Sequence, residues 1–114
     1  MTRARRALGS AGEDLAAAEY ERRGYEVLAR NWRCREGELD LVLRSGSTVV
    51  FCEVKARSTL AFGSPLEAVT AAKRRRIRLL ATRWLQHSGV RAGELRFDVV
   101  GVLDGAVEVV EGAF

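Results

Sequence analysis

Hydrophobic and polar positions follow a helical period near the start of this chain and a period of two directly afterwards. Residues 11–23 carry an apolar stripe of leucine, alanine and tyrosine that stops at Gly24, which predicts a first helix. Three strand-like runs follow, and they span residues 25–31, 39–44 and 48–55. The turn residues Ser45-Gly46-Ser47 predict a tight hairpin between the second and third strands.

The second half of the chain predicts a long helix and a final hairpin. Ser64-Pro65-Leu66-Glu67 has the residues of a helix start, and a helix, or two helices broken near Thr70, is expected to reach about Ser88. Its core stripe comprises Ile77, Leu80, Ala81, Trp84 and Leu85. Residues 95–103 and 106–110 then alternate around Asp104-Gly105. The order α-β-β-β-α-β-β predicts an α/β fold with helices packed on a mixed central sheet.

Length and composition place the chain among ordinary globular proteins. Its 114 residues, 47% of them hydrophobic, fit one domain over residues 1–114 with a core at about 11–110. The basic N-terminus is followed by Glu13 and Asp14 rather than by an apolar run, so we expect a cytoplasmic protein without a secretory signal. Cys34 and Cys52 are expected to be small core residues, with a redox pair as the alternative.

Basic residues are concentrated at residues 73–78, Lys-Arg-Arg-Arg-Ile-Arg, with a smaller group at Arg3, Arg5 and Arg6. The net charge is +4, which suits a polyanionic partner, although such a run can also be a solvated helix face. The chain contains 17 arginines and only two lysines, Lys55 and Lys73, which draws attention to both lysines. Lys73 lies near a helix start, where a phosphate could bind, or it is a surface lysine.

The hairpin over residues 37–55 carries the candidate chemistry. If its turn is centred on Gly46-Ser47, Asp40 faces Glu53 and Glu38 faces Lys55, all on one side of the sheet. A solvated hairpin face with a Glu38–Lys55 ion pair is the simpler interpretation. However, the like-charged pair Asp40 and Glu53 destabilises a hairpin unless a cation neutralises it, and both faces of these strands are otherwise apolar. Hard carboxylate oxygens on rigid strands favour Mg²⁺.

Lys55 shares this face, two residues after Glu53. Its ammonium group could polarise an attacking water, stabilise charge in a transition state, or simply balance the two carboxylates. The sequence leaves these roles open.

Asp40 followed by Glu53-x-Lys55 on a hairpin resembles the signature of the PD-(D/E)XK nucleases, with Leu39 where the motif has proline. Over residues 11–101 the chain resembles the YraN-like family of small bacterial proteins. The matching segments are Gly12-Glu13, residues 37–42, residues 50–57, Phe62-Gly63, the Lys73/Arg76-Ile77 helix and residues 96–100. Archaeal Holliday-junction resolvases are similar in layout, with an early helical glutamate, then an aspartate, then Glu-x-Lys.

This resemblance implies a restriction endonuclease-like three-layer core and a set of site residues. Asp40 and Glu53 would bind Mg²⁺ or Mn²⁺, the Val54 carbonyl would add a ligand, and Lys55 would assist the water nucleophile. Glu13 would complete the metal shell, unless it only forms a capping box with Ser10. Glu38 would substitute for one of these groups or pair with Lys55. The expected nucleic-acid-binding residues are Lys73, Arg74, Arg75, Arg78 and Arg57.

We therefore expect a Mg²⁺-dependent endonuclease that cleaves DNA; by analogy with the resolvases, its substrate would be branched or junction DNA and it would work as a homodimer. The alternatives are a catalytically inactive nucleic-acid-binding or adaptor module and an RNA-acting member of the same fold. Other residues are weaker candidates: His87 as a helix C-terminal charge, Asp98 as a buried structural residue, and Trp32 and Trp84 as core or interface residues.

Overall fold

The computed structural model describes residues 3–57, 67 and 69–114. Within them the chain forms α1 (Arg3–Arg22), β1 (Glu26–Cys34), β2 (Gly37–Ser45), β3 (Thr48–Arg57), α2 (Ala71–Ser88), β4 (Glu94–Leu103) and β5 (Ala106–Val110). This succession agrees with the predicted order of helices and strands. None of the helices described is both long and apolar enough to cross a membrane.

The five strands form one mixed sheet in the order β1-β2-β3-β4-β5. All neighbours are antiparallel except β3 and β4, which run parallel, so their connection must cross over one face of the sheet. Helix α2 lies within that connection.

The sheet is buried between the two helices, which makes three layers. On the α2 side the core includes Val42, Phe51, Leu80 and Trp84, and on the α1 side it includes Tyr20, Leu41, Val50 and Val100. Strands β2 and β3 are therefore apolar on both faces because each face is covered by a helix, as predicted.

Helix α2 begins at Ala71, directly after Thr70, the residue near which a break was the predicted alternative. The Thr70 side chain caps the helix by accepting a hydrogen bond from the Lys73 backbone N–H at 3.3 Å. Gly89, in the left-handed region at φ 72°, ends the helix and donates to the Leu85 carbonyl. The predicted helix start at residues 64–66 and the Phe62-Gly63 segment lie outside the described residues.

Helix α1 begins earlier than predicted. It starts at Arg3 instead of residue 11, because residues 3–8 are arginines, alanines and a leucine, which all have high helix propensity. Ser10 therefore lies inside the helix, and the predicted capping box between Ser10 and Glu13 is wrong. Glu13 is left with no role at the helix terminus.

The β2–β3 register is confirmed from the turn as far as Leu41 and Cys52, and it then departs from the prediction. The direct pairs predicted between Asp40 and Glu53, and between Glu38 and Lys55, are absent from the ladder. The physical reason is that the Asp40 side chain takes the place of a backbone acceptor: its Oδ2 accepts a hydrogen bond from the Val54 backbone N–H at 2.8 Å. The two strands separate at this point.

Two smaller outcomes concern single residues. Leu39 belongs to the core on the α2 side together with Val42, although strict alternation along β2 would place it on the α1 side with Leu41. Cys52 is a buried core residue as expected, and Cys34 is half-buried against the α2-side core.

Candidate functional site

The candidate site lies where β2 and β3 separate. Asp40 reaches across the opening to the Val54 N–H, and this places its carboxylate beside the Glu53 side chain. Burial, and then the negative charge of Glu53, raise the pKa of Asp40 to about 8. A bound cation would oppose this shift, because it favours the deprotonated carboxylate.

Two amines lie next to these carboxylates. Lys55 Nζ is 3.2 Å from Glu53 Oε1, and both side chains are largely shielded from solvent. Burial, the largest single effect, lowers the pKa of Lys55, but Glu53, Lys73 and Asp40 together outweigh it, so the pKa of Lys55 is raised. Lys73, from the first turn of α2, contacts Lys55, and this contact lowers the pKa of Lys73. The only two lysines of the chain thus meet at one place.

Helix α1 brings a third carboxylate. Glu13 is partly buried, and burial followed by the nearby Glu38 raises its pKa; Glu53 adds to the same shift. Asn31 lies between Glu13 and Glu38. With its amide nitrogen turned toward the carboxylates, it donates to Glu13 Oε2 at 2.5 Å and to Glu38 Oε1 at 2.9 Å.

A close contact between α1 and β3 sets the position of Glu13. The neighbouring Gly12 packs so tightly on the sheet that a Cβ atom there would lie 2.7 Å from the Ala56 Cβ. Glycine is required because any side chain would push α1 away from β3. The contact lies one residue from Glu13 on the helix and one residue from Lys55 on the strand, so it fixes their separation.

These side chains suit a hard divalent cation. Asp40, Glu53 and Glu13 supply carboxylate oxygens in a partly buried place where Lys55 is the nearest cation on the strand. Within residues 3–57, 67 and 69–114, no three His, Cys, Asp or Glu side chains are close enough together to hold a metal ion by themselves. Mg²⁺ does not require three, because it is commonly held by one or two carboxylates together with waters and substrate phosphate.

The structure separates one predicted pair. Glu38 does not pair with Lys55; it lies 3.3 Å from Arg33 and accepts from Asn31, whereas Lys55 pairs with Glu53. The reason is the opening of the ladder, which removes Glu38 from its place across from Lys55.

The predicted phosphate-binding residues lie on or near the first half of α2. Arg75 is exposed, and Arg78 is exposed but its guanidinium lies 4.6 Å from the centre of the Phe97 ring. Arg74 is half-buried and donates to the Val69 carbonyl at 3.2 Å. Arg57 is half-buried at the end of β3. Lys73 contacts Lys55, whereas Arg74 and Arg78 are used in packing.

The weaker candidates are structural. His87 is in the last turn of α2, beside Trp32 and roughly 20 Å along the helix from Lys73. Trp84 is a buried core residue and Trp32 packs against the same core, so the expectation for both is confirmed. Asp98 is fully buried, as expected for a structural residue.

Sequence reasoning missed the partners of Asp98 and the role of Asn31. Asp98 accepts from the Tyr20 hydroxyl at 2.7 Å, from Arg96 at 2.9 Å and from the Gly112 N–H at 3.0 Å, which ties α1 to β4. The available signal for Asn31 was its residue type, because asparagine is unusual inside a strand and tolerates a left-handed backbone.

Comparison with known proteins identifies the family. The sequence profile of "Uncharacterised protein family UPF0102" matches residues 12–102. A UPF0102 protein of Beutenbergia cavernae is 56% identical over 101 residues, covering 89% of this chain and 86% of the relative. One from Acidothermus cellulolyticus is 49% identical over 126 residues, covering 97% and 96%. This chain therefore belongs to the UPF0102 family, the YraN-like family that its motifs predicted.

Proposed function

We propose that this protein is a Mg²⁺- or Mn²⁺-dependent endonuclease that hydrolyses phosphodiester bonds in DNA. The observation that carries the proposal is the convergence of Asp40, Glu53 and Glu13 beside the Lys55 amine, where β2 and β3 separate. A three-layer arrangement with a mixed sheet supports the further proposal that the fold is restriction endonuclease-like.

Each residue has a defined task in this proposal. Asp40 and Glu53 hold the cation, with the Val54 carbonyl and Glu13 as further oxygen ligands. A divalent cation in such a site lowers the pKa of a coordinated water and offsets charge on the phosphate. Lys55, kept charged by Glu53, orients the attacking water or stabilises the negative charge that develops on the phosphate.

The substrate backbone is proposed to approach along the first half of α2. Lys73 lies next to Lys55, so an ammonium group is available for a phosphate adjoining the one that is cleaved. Arg74, Arg75 and Arg78 continue the basic surface along α2, and Arg57 is proposed as a further phosphate contact at the end of β3, where it lines a pocket with Gly12 and Leu15. Contacts of this kind recognise the backbone rather than base sequence, and branched or junction DNA is proposed as the substrate by analogy with the resolvases. Two copies acting as a homodimer would match the symmetry of such a junction.

The test is cleavage of a panel of linear, branched and single-stranded DNA and RNA with Mg²⁺ or Mn²⁺. We expect nicking of branched DNA that is abolished by Asp40→Ala or Glu53→Ala, while binding in EDTA is retained. Glu108→Ala, which removes an exposed carboxylate from β5, is the matched control and should cleave normally.

Two other results would contradict the proposal, and each indicates a different function. Binding of nucleic acid without cation-dependent cleavage of any substrate indicates an adaptor module. Cleavage confined to RNA indicates a ribonuclease with the same site. Sedimentation of the protein with and without junction DNA tests the homodimer separately, because a monomer in both states contradicts it.

A further inference from the structure

Asn31 occupies an unusual position in β1. Residues on either side of it pair with β2, but Asn31 itself does not, and it lies across from Asp40. Its backbone is left-handed at φ 52°, a conformation that asparagine adopts more readily than most residues. The side chain is thereby directed to the Glu13 and Glu38 carboxylates, with the amide nitrogen 2.5 Å from Glu13 Oε2.

The chemistry of an amide matters at this place. An arginine or lysine would also satisfy the carboxylates, but it would neutralise them and weaken the attraction for a cation. An aspartate would repel them, and an alanine would remove the hydrogen bond that Glu13 receives from Asn31. The amide donates hydrogen bonds without contributing charge, so the carboxylates are oriented and the negative charge of the site is kept.

The geometry points to Asn31 as a positioning residue: we propose that it holds the Glu13 carboxylate toward Asp40 and Glu53, so that a divalent cation meets a third oxygen ligand. Glu13 comes from a helix, whereas the other two carboxylates come from strands, so it needs such a link to the sheet. This inference rests on the proposed metal site and gives that site a supporting residue. Partners of metal ligands typically contribute 10–100-fold to affinity.

The experiment measures Mn²⁺ affinity by titration without nucleic acid, so that no enzymatic activity is needed. Asn31→Gly removes the side chain while still permitting a left-handed backbone, and we expect it to weaken Mn²⁺ binding about tenfold. Asp104→Gly is the matched control. Among the described residues, Asp104 is the other non-glycine residue with positive φ, at 51°, and it lies in the β4–β5 turn. The Mn²⁺ affinity of Asp104→Gly should equal that of the unaltered protein.

A double-mutant cycle with Glu13→Gln separates positioning from a general structural effect. If Asn31 acts through Glu13, Asn31→Gly should add less than about twofold to the loss already caused by Glu13→Gln. If the two losses of Mn²⁺ affinity multiply, Asn31 acts by another route and the inference is overturned. Unchanged affinity in Asn31→Gly alone overturns it as well.

Failure of this inference is distinguishable from failure of the metal site. Mn²⁺ binding that Asp40→Ala abolishes but Asn31→Gly leaves intact removes only the role of Asn31. Absence of any Mn²⁺ binding that depends on Asp40 removes both. Urea unfolding in EDTA, measured for each variant, shows that the affinities compared are those of folded proteins.

Discussion

Replacing Gly12 with alanine tests whether α1 lies where the candidate site requires it. The added Cβ would lie 2.7 Å from the Ala56 Cβ, well below the ordinary contact range of 3.4–4 Å. The Ala56 side chain has no flexible end that could move aside. Helix α1 or strand β3 must therefore move by more than half an ångström. Because Glu13 follows directly, its carboxylate would move with the helix.

The magnitude follows from two opposing effects. Overpacking of this kind destabilises a protein by about 1–3 kcal/mol, while replacing a helical glycine with alanine contributes about 0.5–1 kcal/mol in the stabilising direction. Gly9, in the same helix, has no atom within 4 Å of its added Cβ and should show only the second effect. The free energies of unfolding of Gly12→Ala and Gly9→Ala should thus differ by about 1–3 kcal/mol, with Gly12→Ala the less stable.

Urea unfolding in EDTA measures this difference, and a second substitution locates its cause. In Gly12→Ala combined with Ala56→Gly, the nearest atoms to the new Cβ would be Ala56 Cα at 3.7 Å and the Val102 Cβ at 3.8 Å, which are ordinary contacts. We expect the double variant to recover most of the overpacking loss. Equal stability of Gly12→Ala and Gly9→Ala would show that α1 does not touch β3 at Gly12, and it would also contradict the position of Glu13 that depends on this contact.

Three further predictions concern charge and burial. Because the pKa of Asp40 is raised in the folded protein, the unfolded chain loses this proton at lower pH, and metal-free stability should fall from pH 5 to pH 8. Asp40→Asn removes this titration, so its free energy of unfolding relative to the unaltered protein should be higher at pH 8 than at pH 5 by over about 1.4 kcal/mol, whereas a pH-independent difference contradicts the shift. Tyr20→Phe should lower the free energy of unfolding by about 1–2 kcal/mol, measured in urea, since it removes a donor from buried Asp98; Tyr25→Phe is a half-buried control expected to lose less. Arg75→Ala should reduce the slope of log binding constant against log salt by about 1 without changing the melting temperature, and an unchanged slope would place DNA elsewhere.

Local sequence patterns were sufficient to predict most elements of the fold. The β2–β3 and β4–β5 hairpins could be predicted because alternation and turn residues lie within a few positions of each other. The core stripe of α2 and its end at Gly89 were predictable for the same reason. The start of α1 was missed because Ser10 and Glu13 imitate a capping box, although the preceding residues favour helix as well.

The arrangement of the site was less predictable because it depends on contacts between distant residues. Asp40 and Glu53 were identified from their position on the hairpin, but the opening of the strands depends on a side chain replacing a backbone acceptor at Val54. No local sequence pattern predicts such a hydrogen bond. The meeting of Lys55 with Lys73 also depends on how α2 packs on the sheet, and only the scarcity of lysine drew attention to both.

The described structure places Glu13 by several independent contacts, and their combination explains why a helix can contribute to a site built on strands. The Gly12 contact with Ala56 sets how closely α1 approaches β3, and the buried bond from Tyr20 to Asp98 anchors the other end of the helix to β4. Two such points fix the axis of a helix but leave a long side chain free to rotate. The Asn31 amide restricts that remaining freedom, because it acts on the carboxylate itself. Loss of either helix contact should therefore lower both stability and Mn²⁺ affinity, whereas loss of the amide should lower mainly the affinity.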